Sequence, residues 1–177
     1  MKEKYNSLYK IQEQFRLKLI SDLQPYSDEI INKKPSPEAW SVADNISHLI
    51  AGEEYVFNYV NKKIEDGTRA GKTGLSARIK RAVLKIAFAL PIKFKVPKSV
   101  APLIEYTTLK DLAAKWEKSA KATHNLLINL DESEFNKDIW KHPRVGKINF
   151  VQMMDFSIDH ARRHEEQIKR TIAAVKK

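Results

Sequence analysis

Asp159-His-Ala-Arg-Arg-His-Glu-Glu-Gln167 sets two histidines, His160 and His164, four residues apart. On a helix that spacing stacks both imidazoles on one face, one turn apart, where they can share a divalent ion. Upstream, Asn149 with Gln152 has the form of a helix cap, and Phe150, Met154, Ala161, Ile168, Ile172 and Val175 keep the rhythm of a buried stripe. His160 and His164 fall on one shoulder of that stripe with Met153, Phe156 and Gln167; Asp155, Asp159, Arg162, Glu166 and Arg170 fall on the opposite side. A shoulder position suits a ligand facing a cleft, because packing holds it while a substrate can still reach it. The competing reading is a helix-face pair that merely picks up metal.

Two histidines do not complete a site. The best-placed third donor is His48, in Trp40-Ser-Val-Ala-Asp-Asn-Ile-Ser-His48-Leu. Ser41 with Asp44 has the form of a capping box, opening a helix that runs to about Asp66 with Val42, Ile46, Leu49, Ile50, Val56 and Val60 as its core stripe. On a helical wheel His48 lies off the centre of this stripe, alongside Gly52, Tyr55 and Tyr59, so it reads equally as an exposed surface histidine. Gly52, one turn on, leaves room beside it. His124 reads as a hydrogen-bonded or partly exposed histidine, and His142, in a linker from Asp131 to Lys147, as a solvated one.

Two more helices complete the pattern. Residues 2–22 carry Leu8, Ile11, Phe15 and Leu19 on one face before Pro25, and Thr108 with Asp111 opens a helix buried through Leu109, Leu112, Trp116, Ala120, Thr123, Leu127 and Leu130. Four long amphipathic helices without a convincing strand predict an all-α four-helix bundle, one domain over residues 1–177. The connection between the second and third helices, 67–107, is longer than a tight hairpin needs, so those two helices can run parallel through a crossover. Inside it Leu75, Ile79, Ala82, Val83, Ile86 and Leu90 follow helical spacing up to Pro91, with Arg78, Lys80, Arg81 and Lys85 on the other face. Lys93 to Pro102 reads as extended chain.

Composition removes several chemistries. With no cysteine among 177 residues, disulfides, thiolate metal sites and cysteine nucleophiles are excluded. A charged N-terminus and the lack of any apolar run of membrane-spanning length predict a soluble, cytoplasmic protein with no transmembrane segment. The net charge of +10 is concentrated in residues 67–104, which hold nine basic and no acidic residues. Such a segment can meet a membrane surface or a partner, although a crossover helix with a solvated basic face is the simpler reading.

Together these motifs resemble the DinB-like superfamily of metal-dependent four-helix bundles. The resemblance rests on Trp40-Ser41 opening the second helix, His48-Leu49 seven residues after Ser41, His142-Pro143 through Gly146, and His160-x-x-x-His164-x-x-Gln167. It implies a bundle with a crossover, often a homodimer, holding Zn, Ni or another divalent ion on three histidines that map onto His48, His160 and His164. Relatives implied by the resemblance include thiol S-transferases using bacillithiol or glutathione and a mycothiol-dependent isomerase, while many members have no known reaction. The resulting expectation is a divalent-metal-dependent transferase adding a low-molecular-weight thiol to an electrophilic small-molecule substrate, with metal-dependent hydrolysis as a close variant. No catalytic base stands out; Tyr55, Tyr59 and Gln167 are neighbours that also read as bundle packing. Ser157, Asp159 and His160 do not make a triad, because there is no nucleophile elbow and the adjacent Asp159 and His160 diverge on a helix. The alternative class is a non-catalytic module binding anionic lipid or nucleic acid through residues 67–104, its metal site structural or vestigial. Phe88 and Phe94 lie among the basic residues there, but no nucleic-acid motif is present and no specific nucleic-acid partner is predicted.

Overall fold

In the computed structural model, which describes residues 2–67, 79, 81–83, 85–86, 106–138, 140–142 and 146–176, each cap expected from the sequence starts a helix. Ser41 Oγ accepts from the Asp44 amide at 3.0 Å while Asp44 accepts from the Ser41 amide at 2.9 Å. Asn149 and Gln152 make the same reciprocal pair, and Thr108 Oγ1 accepts from the Asp111 amide at 3.0 Å. Each cap satisfies amides the helix leaves unpaired, worth about 1 kcal/mol. The helices are α1 (Lys2–Leu23), α2 (Asp28–Asn32), α3 (Val42–Glu65), α4 (Leu109–Ile128) and α5 (Phe150–Val175). The short α2 lies where the sequence suggested only a polar connection. It fixes the start of α4: Asn32 exchanges hydrogen bonds with the Thr107 backbone, and Asp28 accepts from the Leu109 amide at 2.8 Å.

Named pairs give the helix directions. Asn45 meets His164 and His48 meets His160, so α3 and α5 are antiparallel. Lys2 reaches the Leu130 carbonyl and Tyr9 stacks on His124, so α1 and α4 are antiparallel. Glu53 bonds Trp116 between an apolar cluster holding Val42 and Leu109 and another holding Val60 and Leu127. That order makes α3 and α4 parallel, as the long crossover requires. By the same logic Tyr5 with Phe150, Gln12 with Ser157, and Leu19 with Ile168 make α1 and α5 parallel.

Other details differ from the sequence reading. On α1 the expected row holds at Leu8, Phe15 and Leu19, which pack on the two apolar clusters with Tyr5 and Leu23, while Ile11 lies at the edge of that face and is 42% exposed. The linker from Asp131 holds a 3-10 turn, Glu132–Asn136, and an antiparallel ribbon of β1 (Trp140–His142) and β2 (Gly146–Ile148), with Gly146 at a φ of 81° that favours glycine. Asp159, expected on the solvent side, pairs at 2.6 Å with Arg81 of the crossover. The described crossover residues 79, 81–83, 85 and 86 are helical. The expectations for Leu75, Leu90, Phe88, Phe94, Pro143 and Lys93 to Pro102 lie outside the described residues.

Between the two apolar clusters the interior is polar. Glu53 Oε1 accepts from Gln12 Nε2 at 2.8 Å and from Trp116 Nε1 at 3.1 Å, and Gln12 Nε2 also donates to Ser157 Oγ at 3.0 Å. All four long helices contribute. Burial pushes the Glu53 carboxyl up from 4.5 to about 7, against the lowering effect of the Trp116 and Gln12 donors and the Arg16 guanidinium. Because the folded chain holds this proton more tightly than the unfolded chain, stability falls as pH rises from about 4.5 through about 7 and then levels off. Glu53→Gln is therefore expected to stabilise the protein on the order of 2–3 kcal/mol at pH values well above 7, and far less near pH 4.5. Urea unfolding at both pH values measures this; equal effects at the two would contradict the buried-carboxyl account.

Candidate metal centre

His48 comes from the first half of α3, and His160 and His164 from successive turns of α5. The capping box at Ser41 sets the phase of α3, and the antiparallel packing brings the two faces together. His160 Nε2 lies 3.2 Å from His48 Nε2 and 3.1 Å from His164 Nε2, and one donor atom from each ring falls within 4.8 Å of the others. A tetrahedral ion with metal–nitrogen bonds of about 2.0–2.1 Å spaces its donors roughly 3.3 Å apart. The two short separations come close to that without any movement of the helices, and a set of imidazoles suits Zn or Ni.

Asn45, on α3 three residues before His48, orients one ring. Its Nδ2 donates to the Ser41 carbonyl at 2.8 Å, which turns Oδ1 toward His164 Nδ1, also at 2.8 Å. His164 therefore carries its proton on Nδ1 and presents the Nε2 lone pair to the other histidines. Trp40 lies parallel to the His164 ring, 5.8 Å between centroids and 15° between planes, and inclined to His48 at 5.1 Å. Its carbonyl accepts from Thr171 Oγ1. Phe156 stacks on His160 at 5.6 Å and 17°.

Burial, followed by the fields of His48, His142 and Arg163, holds His160 down to about 3. Burial also lowers His164, with His160, His48 and Arg163 adding to it. Both rings stay neutral in ordinary solution, the form that ligates metal.

His48 is 5% exposed, so the surface reading of this residue fails. Its cover comes from α5 and Trp40, which its own helix pattern cannot reveal. His142 is likewise buried and not solvated: on β1 it meets Phe156 edge-on at 4.5 Å and Trp140 at 5.1 Å, closing the His160 side of the centre. His124 stacks on Tyr9 at 3.8 Å, part of the α1–α4 contact. Tyr59 packs against the apolar cluster, Tyr55 is 39% exposed and Gln167 is half-buried. Asn45, Phe156 and Glu53 had no sequence signal beyond their helical phase. Asn45 in particular follows Ser41 by four residues, the spacing that returns a side chain to the carbonyl of a cap.

An antiparallel pair of bundle helices presenting three converging imidazoles defines a helical protein able to hold a divalent ion. The chain belongs to the DinB superfamily, whose family model matches residues 13–168. It is also similar to the uncharacterized protein YuaE of Bacillus subtilis (strain 168), 23% identical over 154 residues covering 87% of this chain and 90% of the relative. No solved structure is a significant match.

Asn45→Ala is expected to weaken zinc binding about 10- to 100-fold, the usual effect of losing a hydrogen bond that orients a ligand. A competition titration against a chromophoric chelator reads the affinity, and a melting curve of the metal-free variant separates loss of fold. Unchanged affinity in a folded variant would remove Asn45 from the centre.

Proposed function

We propose that the chain is a divalent-metal-dependent transferase joining a low-molecular-weight thiol to an electrophilic small molecule, with hydrolysis as its close variant. The observation that carries this reading is the convergence of the His48, His160 and His164 donor atoms in a chain that has no cysteine. The sulfur nucleophile then has to come from solution, and a cytoplasmic pool of reduced thiols is its natural source.

In this reading His48, His160 and His164 hold the ion. Zn or Ni bound there would supply a Lewis acid that favours the ionised form of a thiol, or of water in the hydrolytic variant. Neutral imidazoles add no negative charge to offset the ion's own. Asn45, Trp40 and Phe156 keep the rings in place, and the covering of Trp140 and His142 limits water on one side.

Gly52 supplies room for a substrate. A Cβ built there meets nothing within 4 Å, and on a helix it would lean toward the turn that carries His48. The glycine is a cost to the helix, so Gly52→Ala is expected to raise stability by about 0.5–1 kcal/mol in urea unfolding. Gly52→Leu should lower turnover while leaving metal content unchanged.

The deciding measurement is metal content by mass spectrometry on untagged protein, followed by a screen of thiols against electrophiles. Near-stoichiometric metal is expected in the wild type, with at least about tenfold less in His48→Ala, His160→Ala and His164→Ala, and thiol consumption should vanish with it. Wild-type protein that stays metal-free after incubation with Zn or Ni, or thiol transfer that survives His160→Ala, would overturn the reading. Product masses separate thiol addition from hydrolysis.

A further inference from the structure

An amphipathic crossover helix would ordinarily lay its apolar stripe on the bundle and turn its basic residues to water. Among the described residues the apolar stripe is instead exposed. Ile79, Val83 and Ile86, which share one face at helical spacing, are 57%, 60% and 65% exposed. Arg81, on the opposite face, is 8% exposed and makes a 2.6 Å ion pair with Asp159 of α5. A buried ion pair broken on one side leaves an uncompensated charge, so this contact fixes which face of the helix looks outward. Ala82 is exposed beside the apolar row, and Lys85, on the Arg81 side of the helix, is exposed as well.

A row of aliphatic side chains left in water calls for an occupant, and charge selects it. Residues 67–104 hold nine basic and no acidic residues in a chain of net charge +10. A second copy seated on this face would bring like charge against like charge. Nucleic acid would answer the charge but leave the aliphatic row in water. An anionic bilayer answers both, with an acyl boundary for the row and negative headgroups for the basic charge that the sequence concentrates in this segment.

We propose that the crossover helix seats the protein on an anionic membrane surface, with Ile79, Val83 and Ile86 entering the headgroup boundary. The contact is peripheral, since no described helix is long and apolar enough to cross a membrane. It stands apart from the metal chemistry, although the Arg81–Asp159 pair fastens the helix next to His160.

Flotation of the full-length protein with phospholipid vesicles tests this. The wild type is expected to float with an equimolar mixture of phosphatidylcholine and phosphatidylglycerol and to remain behind with phosphatidylcholine alone. Val83→Asp with Ile86→Asp should reduce binding about tenfold or more with no change in melting temperature, since both side chains are exposed. Ile79→Ser with Ile86→Ser, a milder pair, gives the same reading should the aspartates disturb the helix. The proposal is overturned by a wild type that ignores anionic vesicles, or by folded variants that float as well as the wild type, which would show charge alone at work. A face that holds two copies together, seen as a dimer dissolved by the same substitutions, or one that binds duplex DNA but not vesicles, would overturn it equally.

Discussion

The Glu53 carboxyl is the fixed point of this bundle. Apolar clusters above and below it are nondirectional and would tolerate a helix sliding by part of a turn. Hydrogen bonds do not tolerate it: Gln12 of α1 and Trp116 of α4 both donate to one oxygen of Glu53, and Gln12 carries the connection to Ser157 of α5. The other oxygen is buried with no hydrogen-bond partner, so the group already bears a desolvation cost, and a lost donor would add to it. One register of the four helices satisfies these demands. That register also sets Asn45 beside His164 and His48 beside His160.

Ser41 does two jobs within one turn. Its hydroxyl caps α3, and its carbonyl turns the Asn45 amide so that the oxygen faces His164. The start of the helix and the orientation of a candidate ligand thus depend on the same few atoms. Trp40, immediately before the cap, covers both His48 and His164, so the strand-like entry into α3 forms part of the wall of the centre.

The caps at Ser41, Thr108 and Asn149 were legible in the sequence because each is a local bond between residues three apart. The four-residue spacing of His160 and His164 was legible for the same reason. What escaped is nonlocal. The hydropathy of α3 places His48 off its stripe, and only the approach of α5 buries it. Ile11 looks like a core residue and lies outside, because the inward face of α1 centres on Tyr5, Leu8, Gln12 and Leu19 and leaves Ile11 past its edge. Strands of three residues are too short to show an alternating pattern, so the ribbon that buries His142 could not be seen. Arg81 was read with its basic neighbours as a solvated face; its partner Asp159 lies 78 residues further along the chain.

The parallel pairing of α3 with α4, and of α1 with α5, has a consequence for synthesis. His48 and His160 are 112 residues apart, and Asn45 and His164 are 119 apart. While α1 to α4 leave the ribosome, His48 has neither of its companions, and one face of the growing bundle stays open along its whole length. Contacts of such long sequence separation form late and slowly. A nascent chain stalled before α5 would expose that open apolar face to chaperones and would lack His160 and His164 beside His48. The convergence of the three histidines is thus a property of the finished chain, gained in the same step that closes its core.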